Sequence, residues 1–278
     1  MQARTADASR TTASTPDEAC EPLAHRRSAW RPRTLWIFTR LMAWSVLLAP
    51  VQALLLNIKG ANRHVLPRFA FRRWAKALGM TVRVVGAPAQ PGPVLFVANH
   101  VSYLDIVALG ASLDASFLAK REIRGWPVMG WLARLGRTAW TDRRRSDVGR
   151  ESRDLADRIR RGDSLILFPE ATTGDAQSLM PFKSALFLHG RTHDCRPIVQ
   201  PVSIAYVAAA GQTLDAAGRR RYAWCDNRPM LPHLLWILNQ GPFEVEIRLL
   251  DPLPGGLERK QLAALCRERI ATALALPS

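Results

Sequence analysis

The run VLFVANHVSYLDIVAL, Val94 to Leu109, divides into two halves with different grammar. Val94–Ala98 is a short apolar stretch of β-prone residues, which reads as a buried strand. From Tyr103 the spacing of apolar residues becomes helical, which predicts a helix over Tyr103–Ser112. Between the halves stand Asn99 and His100, at the carboxyl end of the strand, where open α/β sheets place their sites. Asp105 follows His100 by five residues and falls in the first turns of the predicted helix. A carboxylate there reaches back to a ring nitrogen of His100, fixes its tautomer and leaves the other nitrogen free as a base. His189 and Asp194 have the same spacing. No strand precedes that pair, which reads as a solvated or capping helix end.

A second strand-to-turn transition lies in LILFPEATTGD, Leu165 to Asp175. Pro169 turns the chain out of the sheet, Glu170 stands at the strand's carboxyl end, and Thr172 and Thr173 add hydroxyls. The two polar turns converge on one site if their strands are neighbours. Around them, short β-rich runs alternate with helical stretches. Strands are predicted at 81–85, 94–98, 116–119, 138–141, 165–168, 198–204 and 245–250. Helices are predicted at 103–112, 127–135, 146–161, 182–191 and 257–274. This alternation predicts an α/β fold with a mixed, mostly parallel sheet flanked by helices. The stretch 208–242 reads less clearly: a Gly/Ala loop, an Arg-rich segment, then LLWIL as a buried helix or a membrane-contacting patch.

Upstream, residues 1–34 are polar and basic and read as a flexible tail. Residues 35–80 read as a membrane-associated helical segment, and 81–278 as the α/β domain. The apolar stretch Leu35–Ile58 contains Pro50 and Gln52 and is marginal for spanning, which needs about 20 apolar residues. Basic residues flank it on both sides: Arg26, Arg27, Arg31 and Arg33 before it, Lys59, Arg63 and Arg68 after it. That arrangement suits a helix lying in or dipping into one leaflet. Leu66–Met80 mixes aromatics with Arg68, Arg72, Arg73 and Lys76, as an interfacial helix does. The formal net charge of +16 favours an anionic partner. With no zinc-ligand spacing, no aromatic RNA-binding run and no helix-turn-helix pattern, that partner is expected to be an anionic membrane surface rather than nucleic acid. The four cysteines form no CxxC pair and are expected as free thiols.

NHVSYLD and FPEATT, in this order, resemble the first and third signature blocks of the glycerophospholipid acyltransferase family, which read NHxSxxD and FPEGTR. GRTAWTDR (Gly136–Arg143) resembles the second block with one extra residue, and IVQPVSIAY (Ile198–Tyr206) the fourth. AKREIRGWPVMGW resembles the segment that family members carry between the first two. The resemblance covers about Val82 to Val207. It implies an O-acyltransferase in which His100 is the general base and Asp105 orients it. The acceptor hydroxyl is then the nucleophile, and the donor is an acyl carrier protein or acyl-CoA thioester. The implied substrate-binding set is Asn99, Ser102, Lys120, Arg143, Glu170, Thr172, Thr173 and Lys183, with oxyanion donors among the backbone N–H groups at the start of the helix after His100. No cofactor or metal is expected. The implied acceptor is 1-acyl-sn-glycerol-3-phosphate, giving phosphatidic acid, with a lyso-ornithine lipid as the alternative; a non-catalytic basic membrane- or nucleic-acid-binding protein is the alternative of another class. Two departures bear on the acceptor. Ala171 replaces the usual Gly, and Thr173 replaces the usual Arg, a phosphate-binding cation. FPEATTGD with PFKSALF (Pro181–Phe187) looks more like the lyso-ornithine lipid branch. The resemblance also implies a location on the cytoplasmic face of a membrane, with the N-terminal apolar segment inserted.

Overall fold

The computed structural model describes residues 32–55, 57–58, 64–120, 125, 133, 136–141, 155–188, 197–225 and 228–276. Two helices open it, α1 (Pro32–Leu55) and α2 (Val65–Ala77). The strands are β1 (Met80–Val85), β2 (Val94–Ala98), β3 (Ala115–Lys120), β4 (Ala139–Thr141), β5 (Ser164–Leu167), β6 (Ile198–Ala209), β7 (Gln212–Thr213) and β8 (Phe243–Leu249). Helix α3 (Leu104–Ser112) follows β2; α4 (Ala216–Tyr222) and α5 (Met230–Gln240) lie between β7 and β8; α6 (Arg259–Leu274) follows β8. Residues 155–160 are also helical, and Ser184–Leu188 form a 3-10 turn.

The strands make one sheet in the order β1-β8-β6-β2-β5-β3-β4, with β7 paired to β6. Strands β6, β2, β5, β3 and β4 run parallel; β8 is antiparallel to β6 and carries β1 parallel to itself. The sheet is therefore mixed and mostly parallel, as its sequence predicts. All five residues of β2 are buried, as a central strand covered on both faces requires. Val94, Phe96 and Ala98 pack toward α2, α3 and α5, whereas Leu95 and Val97 pack toward α6 and the helical residues 155–160. The period of two along a strand produces this division, and both cores depend on it.

β2 and β5 are direct neighbours, with Leu95 opposite Leu165 and Val97 opposite Leu167. The two polar turns that the sequence marks consequently leave the same edge side by side.

Expected and observed elements differ in a few places. The strand expected to end at Ile204 continues to Ala209 because β8 and β7 pair with its extension. The helix expected over 182–191 is only a 3-10 turn where it is described. Helix α4 and strand β7 have no counterpart in the sequence reading. LLWIL lies in α5, which buries Leu235 and Ile237 and exposes Met230 and Leu231. Residues 1–31, the helix expected at 127–135 apart from Ala133, residues 146–154 of the helix expected over 146–161, and the His189–Asp194 pair lie outside the described residues.

The apolar N-terminal segment is helical, but among the described residues no helix is long and apolar enough to cross a membrane. Pro50 and the polar Thr39, Arg40 and Gln52 interrupt the run within α1. Large apolar side chains nevertheless stand on its surface: Trp36, Trp44, Val46, Leu47, Val51 and Leu54 are exposed, as are Val65 and Phe69 on α2. Arg40 lies over the Trp36 ring, and Arg73 over that of Phe69.

Candidate active site

The site is built at the carboxyl edge of the sheet. His100 Nδ1 lies 3.0 Å from Asp105 Oδ2. An ionised carboxylate only accepts, so Nδ1 is the donor, and in the neutral imidazole the lone pair is on Nε2. Asp105 is completely buried in the first turn of α3. Burying a carboxylate demands compensation, and it is supplied: the N–H groups of Val101 and Ser102 donate to Oδ2 at 2.6 and 2.9 Å, and the Tyr206 hydroxyl donates to Oδ1 at 2.7 Å. Burial and the adjacent carboxylate push the Tyr206 phenol well above its usual range, so it stays a donor. The Val101 and Ser102 amides are thereby engaged by Asp105 ahead of the helix start at Leu104.

The second turn grips His100 from three directions. Glu170 Oε1 accepts the His100 N–H at 2.7 Å, and the Gly174 N–H donates to the His100 carbonyl at 2.7 Å. The Phe168 ring stacks on the imidazole with centroids 4.0 Å apart. Glu170 is itself buried, and its other oxygen accepts the Met180 N–H at 3.1 Å. Burial raises its carboxyl to about 7 against the pull of those two N–H bonds. Ala171, where the resemblance expects Gly, sits in the left-handed region at φ 60°. The turn geometry is thus kept without the residue that adopts it most easily.

The remaining expected residues divide clearly. Asn99 is buried, with its side-chain amide donating to the Ile204 carbonyl at 3.0 Å and its oxygen accepting the Ile204 N–H at 2.8 Å; it ties β2 to β6. Ser102 is also buried, its side chain beside the Tyr206 hydroxyl. Thr173 donates its hydroxyl to the Trp224 carbonyl. Asn99, Glu170 and Thr173 thus spend their polar side chains on protein partners around His100. Thr172 and Lys183 are exposed, and the Lys183 N–H anchors to the Pro169 carbonyl at 2.9 Å. Lys120 ends β3 at the same edge of the sheet. Arg143 lies outside the described residues.

Four residues that matter to the geometry were not singled out from sequence. Tyr206 ends the fourth block, and a tyrosine in an otherwise apolar buried strand is a signal that its hydroxyl needs a partner. Phe168 reads as one more apolar strand residue. Trp224 and Arg219 lie in the stretch without clear periodicity. The Trp224 N–H donates to the Val101 carbonyl at 2.9 Å, so this residue bonds to both turns of the site. Arg219 shares a pocket with His100, Val101, Glu170, Gly174 and Tyr206. Among the described residues no group of His, Cys, Asp and Glu is placed to hold a metal ion.

Residues 81–205 match the acyltransferase family model. The lyso-ornithine lipid O-acyltransferase of Brucella abortus is 36% identical over 250 residues, covering 87% of this chain and 94% of that protein. The 1-acyl-sn-glycerol-3-phosphate acyltransferase of Neisseria gonorrhoeae is 43% identical over a shorter stretch of 102 residues, 36% of this chain and 40% of that protein. The fold is shared with the crystal structure of the 1-acyl-sn-glycerophosphate acyltransferase from Thermotoga maritima: TM-score 0.54 and 20% identity, over 88% of this chain and 99% of that one. The chain belongs to this acyltransferase family.

Proposed function

We propose that the protein acylates the free hydroxyl of a lyso-ornithine lipid, with His100 as general base and Asp105 as its orienting carboxylate. The observation that carries the chemistry is the Nδ1 contact to a buried, fully bonded Asp105, which leaves Nε2 as the basic nitrogen. Nε2 takes the proton of the acceptor hydroxyl as its oxygen attacks the carbonyl of an acyl thioester. The tetrahedral intermediate then collapses, the C–S bond breaks, and the imidazolium returns the proton to the departing thiolate. No protein nucleophile is required. The donor is the thioester of an acyl carrier protein or of coenzyme A.

The choice of acceptor rests on the near full-length similarity to the Brucella protein and on Thr173, which offers no cation and spends its hydroxyl on Trp224. The higher local identity to the Neisseria protein supports a second reading, lysophosphatidate as acceptor. Asn99, Glu170 and Thr173 are proposed to shape the site around His100, while Lys120, Arg143, Thr172 and Lys183 remain the proposed outer contacts of the substrate. We further propose that α1 and α2 seat the protein in one leaflet of an anionic membrane, at the cytoplasmic face. Their exposed Trp36, Trp44, Leu47, Leu54 and Phe69 meet the acyl chains, and the exposed Arg40 and Arg73 the head groups.

Purified protein supplied with an acyl thioester and equimolar lyso-ornithine lipid and lysophosphatidate tests the acceptor. The expected product is ornithine lipid, with kcat/KM for lyso-ornithine lipid above that for lysophosphatidate. A preference of roughly a thousandfold for lysophosphatidate, about 4 kcal/mol, overturns the assignment in favour of the second reading.

A further inference from the structure

Among the described residues the Arg219 guanidinium pairs with no acid. Its Nε donates to the Leu214 carbonyl at 3.3 Å, and among the described residues neither terminal nitrogen meets a protein acceptor. The side chain is half-buried and lines the pocket that also contains His100 and Glu170. Its neighbours on α4 are committed or turned away: Arg220 pairs with Asp175 at 3.4 Å, and Arg221 is exposed. The carboxylate facing the pocket, Glu170, already accepts two backbone N–H bonds. A half-buried cation with two unused donor nitrogens beside a reactive histidine calls for an anion from outside the protein.

The position of Arg219 is built rather than accidental. Asp215 caps α4 by accepting the Gly218 N–H at 2.7 Å. The helix is tied to the Glu170 turn through Arg220–Asp175 and through the Thr173 hydroxyl on the Trp224 carbonyl. It is tied to the His100 turn through the Trp224 N–H on the Val101 carbonyl. Tyr222 packs on Tyr206, the residue that bonds Asp105. The segment 215–224 therefore spans both turns of the site and holds Arg219 at the pocket.

We infer that Arg219 receives the head-group anion of the acceptor, and that this anion is the carboxylate of an N-acylated ornithine. An α-N-acylated ornithine presents one carboxylate and one ammonium, and a planar guanidinium takes a carboxylate through two parallel N–H bonds. Arg219 thus sets specificity, while His100 acts on the hydroxyl. The inference rests on the acyl-transfer reading above and adds to it the residue that selects the acceptor.

The test is a substrate cycle. Arg219→Gln and Arg219→Lys are assayed with lyso-ornithine lipid, with its carboxamide analogue and with lysophosphatidate; Arg221→Gln is the surface control and thermal melting the fold control. Arg219→Gln is expected to lower kcat/KM for lyso-ornithine lipid by about tenfold or more, mainly through KM, as loss of a hydrogen-bonded charge contact implies. The same variant should leave turnover of the carboxamide near wild type, and Arg219→Lys, which keeps the charge but not the fork, should fall between. An equal loss on lyso-ornithine lipid and its carboxamide overturns the inference, because Arg219 then only supports the fold. No loss on either overturns it as well. A loss confined to lysophosphatidate overturns the carboxylate assignment and makes the anion a phosphate. If wild type acylates neither lipid, the acyl-transfer reading itself fails; wild-type activity with an indifferent Arg219→Gln condemns only the role of Arg219.

Discussion

At the carboxyl edge of the sheet, charged and polar side chains are buried and bonded to protein; on α1 and α2, apolar side chains stand exposed. Asp105 accepts four hydrogen bonds and Glu170 two, with almost no surface of either in solvent. Trp36, Leu47 and Leu54 are each at least 60% exposed. Each arrangement costs free energy in water unless something compensates it. At the edge the compensation lies within the fold, and its product is a fixed imidazole. On the helices the compensation we propose is a lipid leaflet. The first region should therefore respond to single atoms and the second to area.

Single-atom changes at the edge give the largest expected effects. His100→Ala removes the proposed base and should abolish acyl transfer with the fold intact. Asp105→Asn keeps volume but places an amide against groups that need an acceptor, and should lower the rate by about 10²–10⁴-fold if orientation is its role. Tyr206→Phe leaves Asp105 Oδ1 without its donor. It should cost about tenfold or more in kcat with little change in KM, since stranding a buried acceptor costs about 1–3 kcal/mol. The ordering His100, Asp105, Tyr206 in kcat, with melting temperatures in hand, checks the series. A Tyr206→Phe rate equal to wild type would remove Tyr206 from the orienting chain, and substantial activity in His100→Ala would remove the base.

The helices should answer to area instead. Changing Trp36, Leu47 and Leu54 together to Ser leaves the net charge unchanged and removes mainly exposed apolar surface. Each side chain withdrawn from the leaflet should weaken partitioning by about tenfold, from the roughly 1.5–3 kcal/mol that burying a large apolar side chain contributes. Wild type should stay on anionic vesicles in high salt, which screens charge but not apolar burial. The variant should bind only at low salt through its remaining basic residues. Release of wild type by high salt alone would show that these side chains do not enter the leaflet.

The sequence was most legible where one physical rule acts alone. VLFVA must be buried on both faces, and a polar turn at its end must leave the sheet, so β2 and the position of His100 follow directly. The neighbouring place of β5 does not follow from its own residues. Strand order is a property of the whole sheet, and only the register of Leu95 with Leu165 brings Glu170 to the His100 peptide. Spacing from His100 to Asp105 is local and readable; the bond from Tyr206 crosses 101 residues of chain and is not. Asn99 and Glu170 read as substrate-binding residues, and their side chains face protein partners beside His100. A carboxylate that organises a loop and one that meets a ligand look alike in sequence, because the difference lies in which N–H groups surround it. Helix α4 escaped reading because AAGRRRY has too few turns to establish a period.

The smallest effect concerns Glu170, and it shows how far internal compensation reaches. Two N–H donors favour its ionised form, but burial disfavours it more, and the carboxyl rises from 4.5 to about 7. Between these pH values the folded chain holds a proton that the unfolded chain has released. The contribution of this group to stability is therefore complete below pH 4.5 and declines as pH rises through about 7. A shift from 4.5 to about 7 corresponds at most to about 3 kcal/mol, at 1.36 kcal/mol per unit. Glu170→Gln cannot titrate, and its neutral amide resembles the protonated acid in charge but opposes one N–H donor with another. The variant should be the less stable protein at pH 5, and the gap should narrow toward pH 8 as wild type loses its share. Denaturant unfolding of both proteins across this range isolates the difference, since every other titrating group is common to the two. A gap that stays constant from pH 5 to pH 8 would mean that the donors from His100 and Met180 outweigh burial and that Glu170 is ionised throughout. The turn would then be fastened by a buried charge rather than by a group that protonates near neutrality, and its grip on the His100 peptide would not weaken as the solution becomes more basic.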